Sequence, residues 1–309
     1  TASPQQQNDF GTSLPGTKVL LMASDVNENT TVPAPPILPQ AERLVNIVVT
    51  YNGFTANAQT AFQAAVDIWE SILVGNQTIN ITANWTPLAA NVLGSASSAF
   101  FHWNFTGAPL NNTAYPTPLA NELCGCDKTP GAADINANFN SDYGNWYLGT
   151  DGATPAGQYD FMSVVLHEIG HGLGFLGSAN VDDDGVGEFL WANPAFYDTF
   201  VDDVNFSILA YADPSPALTS ALQGGGNLMW NGANGVAGNG GAKPELFDPN
   251  PWSPGSSYSH FAESYFLAGN VNSLMTPTIG MAESIHDPGP ACLGLLEDLG
   301  WGINYEYGC

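Results

Sequence analysis

The chain has 309 residues, of which 44% are hydrophobic. This length and composition are typical of a globular protein and exclude a largely disordered chain. Only four Lys and Arg residues stand against 29 Asp and Glu residues, and the formal net charge of −25 disfavours nucleic acid or an anionic membrane as a partner. No apolar run approaches the ~20 residues that a membrane-spanning helix needs, so no membrane span is predicted.

The first 43 residues are polar and rich in proline. They predict an extended N-terminal arm, within which residues 18–22 have the composition of one short strand. Residues 44–309 are expected to form the main domain, with an upper part at 44–177 and a lower part at 178–309.

The upper part shows a regular order of predicted elements. A β-branched, apolar strand at 44–50 is followed by a helix at 55–73, where the apolar residues recur at helical spacing. Further strands are predicted at 78–85, 97–105 and 133–139. This order indicates an α+β fold.

A second helix is predicted at 160–175, and it contains the sequence His167-Glu168-Ile169-Gly170-His171. Two His residues four positions apart lie on one face of a helix, so both imidazoles can bind a single Zn²⁺. Glu168 lies about 100° around the same helix, within reach of a water molecule at the metal. The alternative is a buried structural pair of His residues. The pattern favours a zinc hydrolase.

The lower part has a different character. Short helical pieces are predicted at 194–201 and 216–222, and the Gly- and Asn-rich segment 224–241 predicts a surface loop. A last helix is predicted at 290–299. The C-terminal half is therefore expected to be irregular and rich in loops.

A catalytic zinc site needs a third protein ligand, and the remaining His residues are His102, His260 and His286. In many metzincins a third His follows the motif His by six residues, but Gly177 occupies that position here. The ligand must therefore come from elsewhere in the chain. His260 and His286 are the candidates, since His102 lies in an aromatic strand and is expected to be packed there.

Three segments resemble the leishmanolysin-type metzincins, in which an insertion separates the motif from the third His. They are Gly255-Ser256-Ser257-Tyr258-Ser259-His260-Phe261, Ser273-Leu274-Met275-Thr276-Pro277 and Leu295-Leu296-Glu297-Asp298-Leu299-Gly300-Trp301. The resemblance covers roughly residues 44–301 and is strong at 160–177 and 255–301.

This resemblance implies a metzincin-like zincin, with a twisted sheet over two long helices. It makes His260 the third zinc ligand and Met275 the Met-turn beneath the metal. It also implies a secreted zinc endopeptidase with Glu168 as general base and a protein or peptide as substrate. By the same analogy, the substrate would pair with an exposed edge strand at 97–105. Met275 as an ordinary core residue is the alternative.

An acidic segment after the motif helix resembles the first part of an EF-type calcium loop. Its oxygen ligands would come from Asn180, Asp182, Asp184, the Val186 carbonyl and Glu188. The glutamate usual at the twelfth position is missing. A plain solvated acidic turn is the alternative.

An extracellular or cell-surface location is expected, and the even number of four Cys residues in such a chain predicts two disulfides. Seven sequons permit glycosylation without showing it. Cys124 and Cys126 are each expected to pair with Cys292 or Cys309, because a bridge between Cys124 and Cys126 would close a very tight ring. A Cys-containing zinc site is the alternative. The sequons are at Asn29, Asn76, Asn80, Asn84, Asn104, Asn111 and Asn205.

A second class of function also fits an acidic, exported chain. Residues 1–43 could add a strand to the sheet of a neighbouring copy, which would make the protein a structural or adhesive subunit on a metallopeptidase scaffold. The presence of Glu168 favours the enzyme, because zinc binding alone does not require this residue.

Overall fold

The computed structural model describes residues 19–308 as a mixed α+β fold. The strands of this part of the chain are β1 Val19–Val32, β2 Ile47–Asn52, β3 Leu73–Val74, β4 Ile79–Thr86, β5 Val92–Ser98, β6 Phe101–His102, β7 Tyr115–Pro116, β8 Ile135–Asn140, β9 Trp146–Tyr147, β10 Tyr159–Asp160, β11 Ala179–Val181, β12 Gly187–Phe189, β13 Val201–Asp202, β14 Met229–Trp230, β15 Thr278–Ile285 and β16 Gly302–Ile303. The α-helices are α1 Ala56–Ile72, α2 Thr117–Cys124, α3 Phe161–Leu173, α4 Pro216–Leu222, α5 Ala233–Gly238 and α6 Pro290–Asp298. Short 3₁₀ helices span Gln40–Glu42, Phe196–Phe200, Ile208–Ala210, Ser273–Met275 and Tyr305–Gly308.

A six-stranded sheet in the order β15-β1-β5-β8-β4-β2 forms the upper layer. Strands β2, β4 and β8 are parallel, and β15 is parallel to β1. Strand β5 runs antiparallel to both of its neighbours, β8 and β1. The single reversed strand therefore lies in the interior of the sheet.

Helices α1 and α3 pack against each other and against this sheet. The Thr55 side chain caps α1 by accepting a hydrogen bond from the Ala58 N–H, which satisfies one of the donors that a helix start leaves free. The Trp69 indole on α1 donates to the Leu166 carbonyl of α3 over 3.1 Å. This bond and the buried apolar face of α1 hold the two helices together.

Helix α3 is fixed at both ends. Asp160 caps its start by accepting the Ser163 N–H over 2.7 Å. Gly174, with φ of +127°, ends it, and the Phe175 N–H then bonds to the Gly170 carbonyl. All residues of α3 are buried, so the helix runs through the core and any polar side chain on it needs a specific partner.

The lower half is irregular, as predicted, and is built from short helices and strands of two or three residues, apart from β15, which joins the six-stranded sheet. It extends the hydrophobic core of the upper half with large aromatic side chains, among which Tyr197, Trp230 and Phe261 are fully buried. The Trp301 indole donates to the Leu173 carbonyl and joins the end of the chain to the end of α3. No helix in the described part of the chain is long and apolar enough to cross a membrane.

Two predictions about strands are wrong. The strand expected at 97–105 is divided: β5 ends at Ser98 and β6 begins at Phe101, because the Ser98 hydroxyl bonds to the Phe100 carbonyl in a turn between them. Residues 19–32 are not an extended arm but form β1, which pairs on both sides within the sheet; the short strand predicted at 18–22 is the first part of this longer strand, from residue 19 on. The first 18 residues of the predicted arm lie outside the described residues.

The cysteine prediction is corrected as well. Cys124 and Cys126 are bonded to each other, although a bridge to Cys292 or Cys309 was expected. Gly125 between them has φ of +63°, a left-handed conformation that ends α2 and brings the two Cα atoms to 5.3 Å. Cys292 is a buried free thiol, and Cys309 lies outside the described residues.

Candidate metal centre

Three histidine side chains meet beneath the sheet. His167 and His171 lie on one face of α3, and their Nε2 atoms are 2.8 Å apart. The Nε2 atom of His260 lies 3.2 Å from each of them. Within the described residues, these three form the only group of His, Cys, Asp or Glu side chains placed to share a metal ion.

Backbone carbonyls fix the tautomer of each ring. The Nδ1–H of His167 donates to the Leu274 carbonyl over 2.6 Å, and that of His171 donates to Phe175 over 2.7 Å. The Nδ1–H of His260 donates to the Ser256 carbonyl over 2.6 Å. Each neutral ring therefore carries its lone pair on Nε2, the atom that faces the other two rings.

This arrangement fits a tetrahedral metal ion. Three lone pairs that face one another without a proton repel, and a cation between them removes the repulsion. Zinc–nitrogen bonds of ~2.0–2.1 Å in a tetrahedral site place two nitrogens about 3.3 Å apart, close to the observed 2.8 and 3.2 Å. Burial lowers the pKa of His167 to about 4, and it lowers the pKa of His171 and of His260 well below the usual value, so the rings stay neutral and able to bind metal.

The segment that carries His260 lies far along the chain from the motif, and it contacts the residues just after helix α3. The Ser259 hydroxyl accepts the Gly177 N–H over 3.1 Å. A Cβ atom at Gly177 would lie 2.0 Å from the Tyr258 ring, so only glycine allows this approach. Gly177, the position at which many metzincins carry the third ligand, therefore serves in this chain as the contact that admits the segment carrying His260.

Met275 lies directly under α3. It is fully buried at the end of the 3₁₀ helix Ser273–Met275, next to the carbonyl of Leu274 that holds His167. A Cβ atom at Gly170, between the two motif His residues, would be 2.9 Å from the Met275 sulfur. Sulfur and helix backbone are therefore in close contact beneath the rings.

Glu168 is fully buried, and neither of its oxygens has a hydrogen-bond partner of ordinary geometry. Burial raises the pKa of this carboxyl well above its usual range, and the N–H groups of Leu21 and Ala96 that face it lower the pKa. A Cβ atom at Gly94 on β5 would lie 2.7 Å from Oε1. An unpartnered buried carboxyl is costly for stability, which is typical of a residue retained for chemistry.

The other two His residues lie elsewhere. The Nε2 of His286, the rival third ligand, is 2.9 Å from Asp160 Oδ1 at the start of α3. The Nε2 of His102 lies 3.2 Å from the Thr117 hydroxyl. Neither belongs to the metal group. The same holds for the cysteines of the described chain, so the Cys-containing zinc site has no geometric support.

The acidic segment forms a hairpin of β11 and β12. The Asp182 carboxylate accepts the N–H groups of Asp184 and Val186, and the Val186 carbonyl accepts the Asp182 N–H. The Asn180 amide donates to Glu188 across the hairpin. Among the described residues, the carboxylates of this loop do not converge as a group of three. The geometry favours a turn closed by Asp182, and calcium binding stays a prediction.

Sequence reasoning missed two features of the site. Asp198 lies buried below His260, where it accepts the Tyr258 hydroxyl over 3.0 Å and the Ser178 N–H over 3.0 Å. Burial raises the pKa of Asp198 to about 6. The sequence shows it only as one of many acidic residues. The second feature is β1: it lies beside β5, so the edge at which substrate was expected to bind is covered.

Comparison with known sequences gives a local likeness. The model of a family described as SPBPB7E8-like matches residues 111–204. This span contains α3 with His167, Glu168 and His171, and it ends well before His260 and Met275. No curated protein matches the chain.

Proposed function

We propose that the chain is a secreted zinc-dependent endopeptidase of the leishmanolysin-like metzincin type. The observation that carries the proposal is the convergence of three Nε2 lone pairs beside Glu168, a buried carboxyl without a partner. A structural zinc site closes its fourth position with another protein ligand, whereas a catalytic site leaves that position to water. Only three converging ligands are found among the described residues.

The chain's own residues define the steps of the reaction. Zinc at this position supplies Lewis-acid chemistry, since it lowers the pKa of a bound water and polarises a carbonyl. Glu168 accepts a proton from the attacking water as the new C–O bond forms. It then donates this proton to the leaving nitrogen as the C–N bond breaks. The products are a carboxylate and an amine.

Hydrogen bonds to backbone carbonyls hold the ligands in place for this chemistry. Each ring is oriented by a backbone carbonyl, and such partners raise the basicity of the ligating nitrogen. Two of these carbonyls, Leu274 and Ser256, belong to the segments that carry Met275 and His260. The resemblance to leishmanolysin-type metzincins in these segments therefore corresponds to groups that contact the site.

The proposal is tested with Glu168→Gln, which removes the proton carrier and keeps the shape. We expect one zinc per chain in both proteins by elemental analysis. We also expect cleavage of casein, followed over long incubations, to fall by roughly 10²–10⁴-fold in the variant. Glu188→Gln in the β11–β12 hairpin is the matched control and should cleave like the wild-type chain. Chelator-insensitive cleavage, or a Glu168→Gln variant within tenfold of wild type, would contradict the assignment.

The structural-subunit alternative required the N-terminal arm to pair with a neighbouring copy. In the described chain, β1 instead pairs with β5 and β15 of its own sheet. No observation on the molecule therefore favours this alternative over the peptidase.

A further inference from the structure

The metal centre is covered by the chain itself. His167, Glu168, His171 and His260 are each at most 1% exposed. A peptidase must bring a peptide bond to such a site, so some covering element has to make way. The element above Glu168 is the first part of β1.

Residues Val19–Met22 lie in a slot with two walls. On one side they pair antiparallel with β5, where Leu21 is opposite Gly94 and Leu20 is opposite Ser95. On the other side the Leu20 N–H donates to the Gly255 carbonyl over 2.8 Å, and the Met22 N–H donates to Pro277 over 3.0 Å.

The second wall belongs to the metal centre. Gly255 precedes Ser256, whose carbonyl holds His260, and Pro277 follows closely after Met275. The strand in the slot is therefore held between β5 and the two segments that support the metal ligands.

The slot also lies directly against Glu168. The N–H groups of Leu21 on β1 and Ala96 on β5 face its carboxyl. A Cβ atom on Gly94, the residue opposite Leu21, would come within 2.7 Å of Oε1. The backbone of Leu21 is thus next to the group that the proposed reaction uses as its base.

Side chains in the slot alternate. Val19 and Leu21 point inward and are 3% and 2% exposed, whereas Leu20 and Met22 are half-buried on the other face. Alternation of this kind is how an added strand is recognised: the backbone bonds give affinity and every second side chain fills a pocket. The two inward pockets hold branched aliphatic side chains.

We propose that Val19–Met22 occupy the peptide-binding slot of this protein as an internal substrate mimic, and that the slot takes an extended peptide with aliphatic side chains at alternate positions. This inference rests on the proposed peptidase function. Peptide and β1 cannot occupy the slot together, so the intact chain is a restrained form and release of β1 opens the site.

The segment that follows β1 has the properties expected of a connection that would allow β1 to leave the slot. No strand or helix spans residues 33–39, and Pro33, Pro36 and Ile37 are exposed. Farther along β1, Glu28 faces the carboxyls of Glu263 and Glu283. Three acidic groups at the junction of β1 and β15 weaken the hold on the strand when they are ionised.

The test uses the full chain with a recognition site for a sequence-specific protease inserted between Pro36 and Ile37. We expect cutting, followed by removal of the N-terminal fragment, to raise Glu168-dependent cleavage of a peptide library at least tenfold. The library products should show aliphatic residues at alternate positions around the cleaved bond. Mock-treated chain without the inserted site is the control.

A binding measurement reports on the slot independently of activity. Labelled peptide 19–32, Val-Leu-Leu-Met-Ala-Ser-Asp-Val-Asn-Glu-Asn-Thr-Thr-Val, is added to the cut chain carrying Glu168→Gln, so that the peptide is not consumed. We expect saturable binding by fluorescence anisotropy, at least tenfold tighter than for the same peptide with Val19→Asp and Leu21→Asp. Added to the active cut chain, the unmodified peptide should suppress cleavage to the uncut level.

A disulfide lock between β1 and β5 tests the same proposal in the uncut chain, so the test does not depend on the cut chain staying folded. Leu20→Cys with Ser95→Cys places two thiols opposite each other on the strand face away from Glu168. Oxidation should abolish the basal activity of the uncut double variant, and reduction should restore it, while each single variant is unaffected by either treatment.

The outcomes separate the two proposals. Equal binding of both peptides, or activity that neither cutting nor the oxidised lock changes, overturns the slot assignment. Tight, sequence-dependent binding of peptide 19–32 without cleavage of any library peptide overturns the peptidase proposal and leaves the slot assignment standing.

Discussion

Gly170 shows how closely single residues are fitted around the metal centre. An added methyl group would lie 2.9 Å from the Met275 sulfur, so Gly170→Ala overpacks the contact although it favours the helix. We expect a net loss of about 1–2 kcal/mol in the free energy of unfolding, measured by urea denaturation of the zinc-loaded protein.

A double-mutant cycle identifies the cause. Met275→Ala removes the sulfur, so Gly170→Ala should cost less in that background. Gly144→Ala is the matched control, because nothing lies within 4 Å of a Cβ atom there. Additive effects of Gly170→Ala and Met275→Ala would mean that the contact is not what the glycine preserves.

Residues of the site differ in how far the sequence predicts them. His167 and His171 follow from local helical spacing. His260 lies 89 residues beyond His171, so no periodicity links them, and only the resemblance of residues 255–277 to a known family selected it over His286. The Cys124–Cys126 bridge was missed because the left-handed turn at Gly125 depends on how α2 ends, which ring size alone does not reveal.

Among the elements, the β11–β12 hairpin carries the calcium prediction. Since the Asp182 carboxylate already accepts two backbone N–H groups, we expect Asp182→Ala to cost about 1 kcal/mol with or without calcium. Thermal melts in calcium and after its removal, with zinc held constant, measure this. Asp183→Ala is the control. A calcium-dependent rise in melting temperature that Asp182→Ala abolishes would establish the calcium site instead.

The junction of β1 and β15 predicts a dependence on pH. Burial, together with the charges of Glu263 and Glu28, raises the pKa of Glu283 from 4.5 to about 7. Between pH 4.5 and 7 the folded state keeps a proton that the unfolded state has lost. The free energy of unfolding therefore falls as the pH rises through this range, by at most about 3 kcal/mol.

Glu283→Gln should flatten this decline, because the amide does not titrate. Urea denaturation at several pH values between 4.5 and 7.5 measures the slope. Glu306→Gln, on an exposed side chain near the end of the described chain, should keep the wild-type slope. Equal slopes for Glu283→Gln and wild type would place the titrating group elsewhere.

For the helices and strands, prediction from sequence succeeded where the residues of an element by themselves determine its secondary structure. Helices α1, α3, α4 and α6 were located within a few residues. The strand expected at 97–105 and the extended arm expected over residues 19–32 were wrong, because pairing with distant strands decides both. Strand β5 is an interior strand only because β1 and β8 flank it.

Over the whole molecule, the net charge of −25 sets a further expectation. Mutual repulsion among the acidic groups disfavours the compact state, and salt screens it. We expect the melting temperature to rise by a few degrees between about 20 mM and about 1 M sodium chloride. The combined variant Glu42→Gln, Asp183→Asn, Glu306→Gln, which removes three exposed charges, should show a smaller rise. A melting temperature that falls with salt would contradict this account.

The position of β1 also bears on the order in which the chain folds. Met22 pairs with Thr278 of β15, so β1 is synthesised long before this partner, which follows some 250 residues later in the chain. Contacts between such distant residues carry a large loop-closure cost and form late. Helix α3 and its neighbouring strands can assemble before that partner exists. Strand β1 would then be among the last elements to dock, and a newly made molecule would pass through a period in which its metal centre is complete and still open.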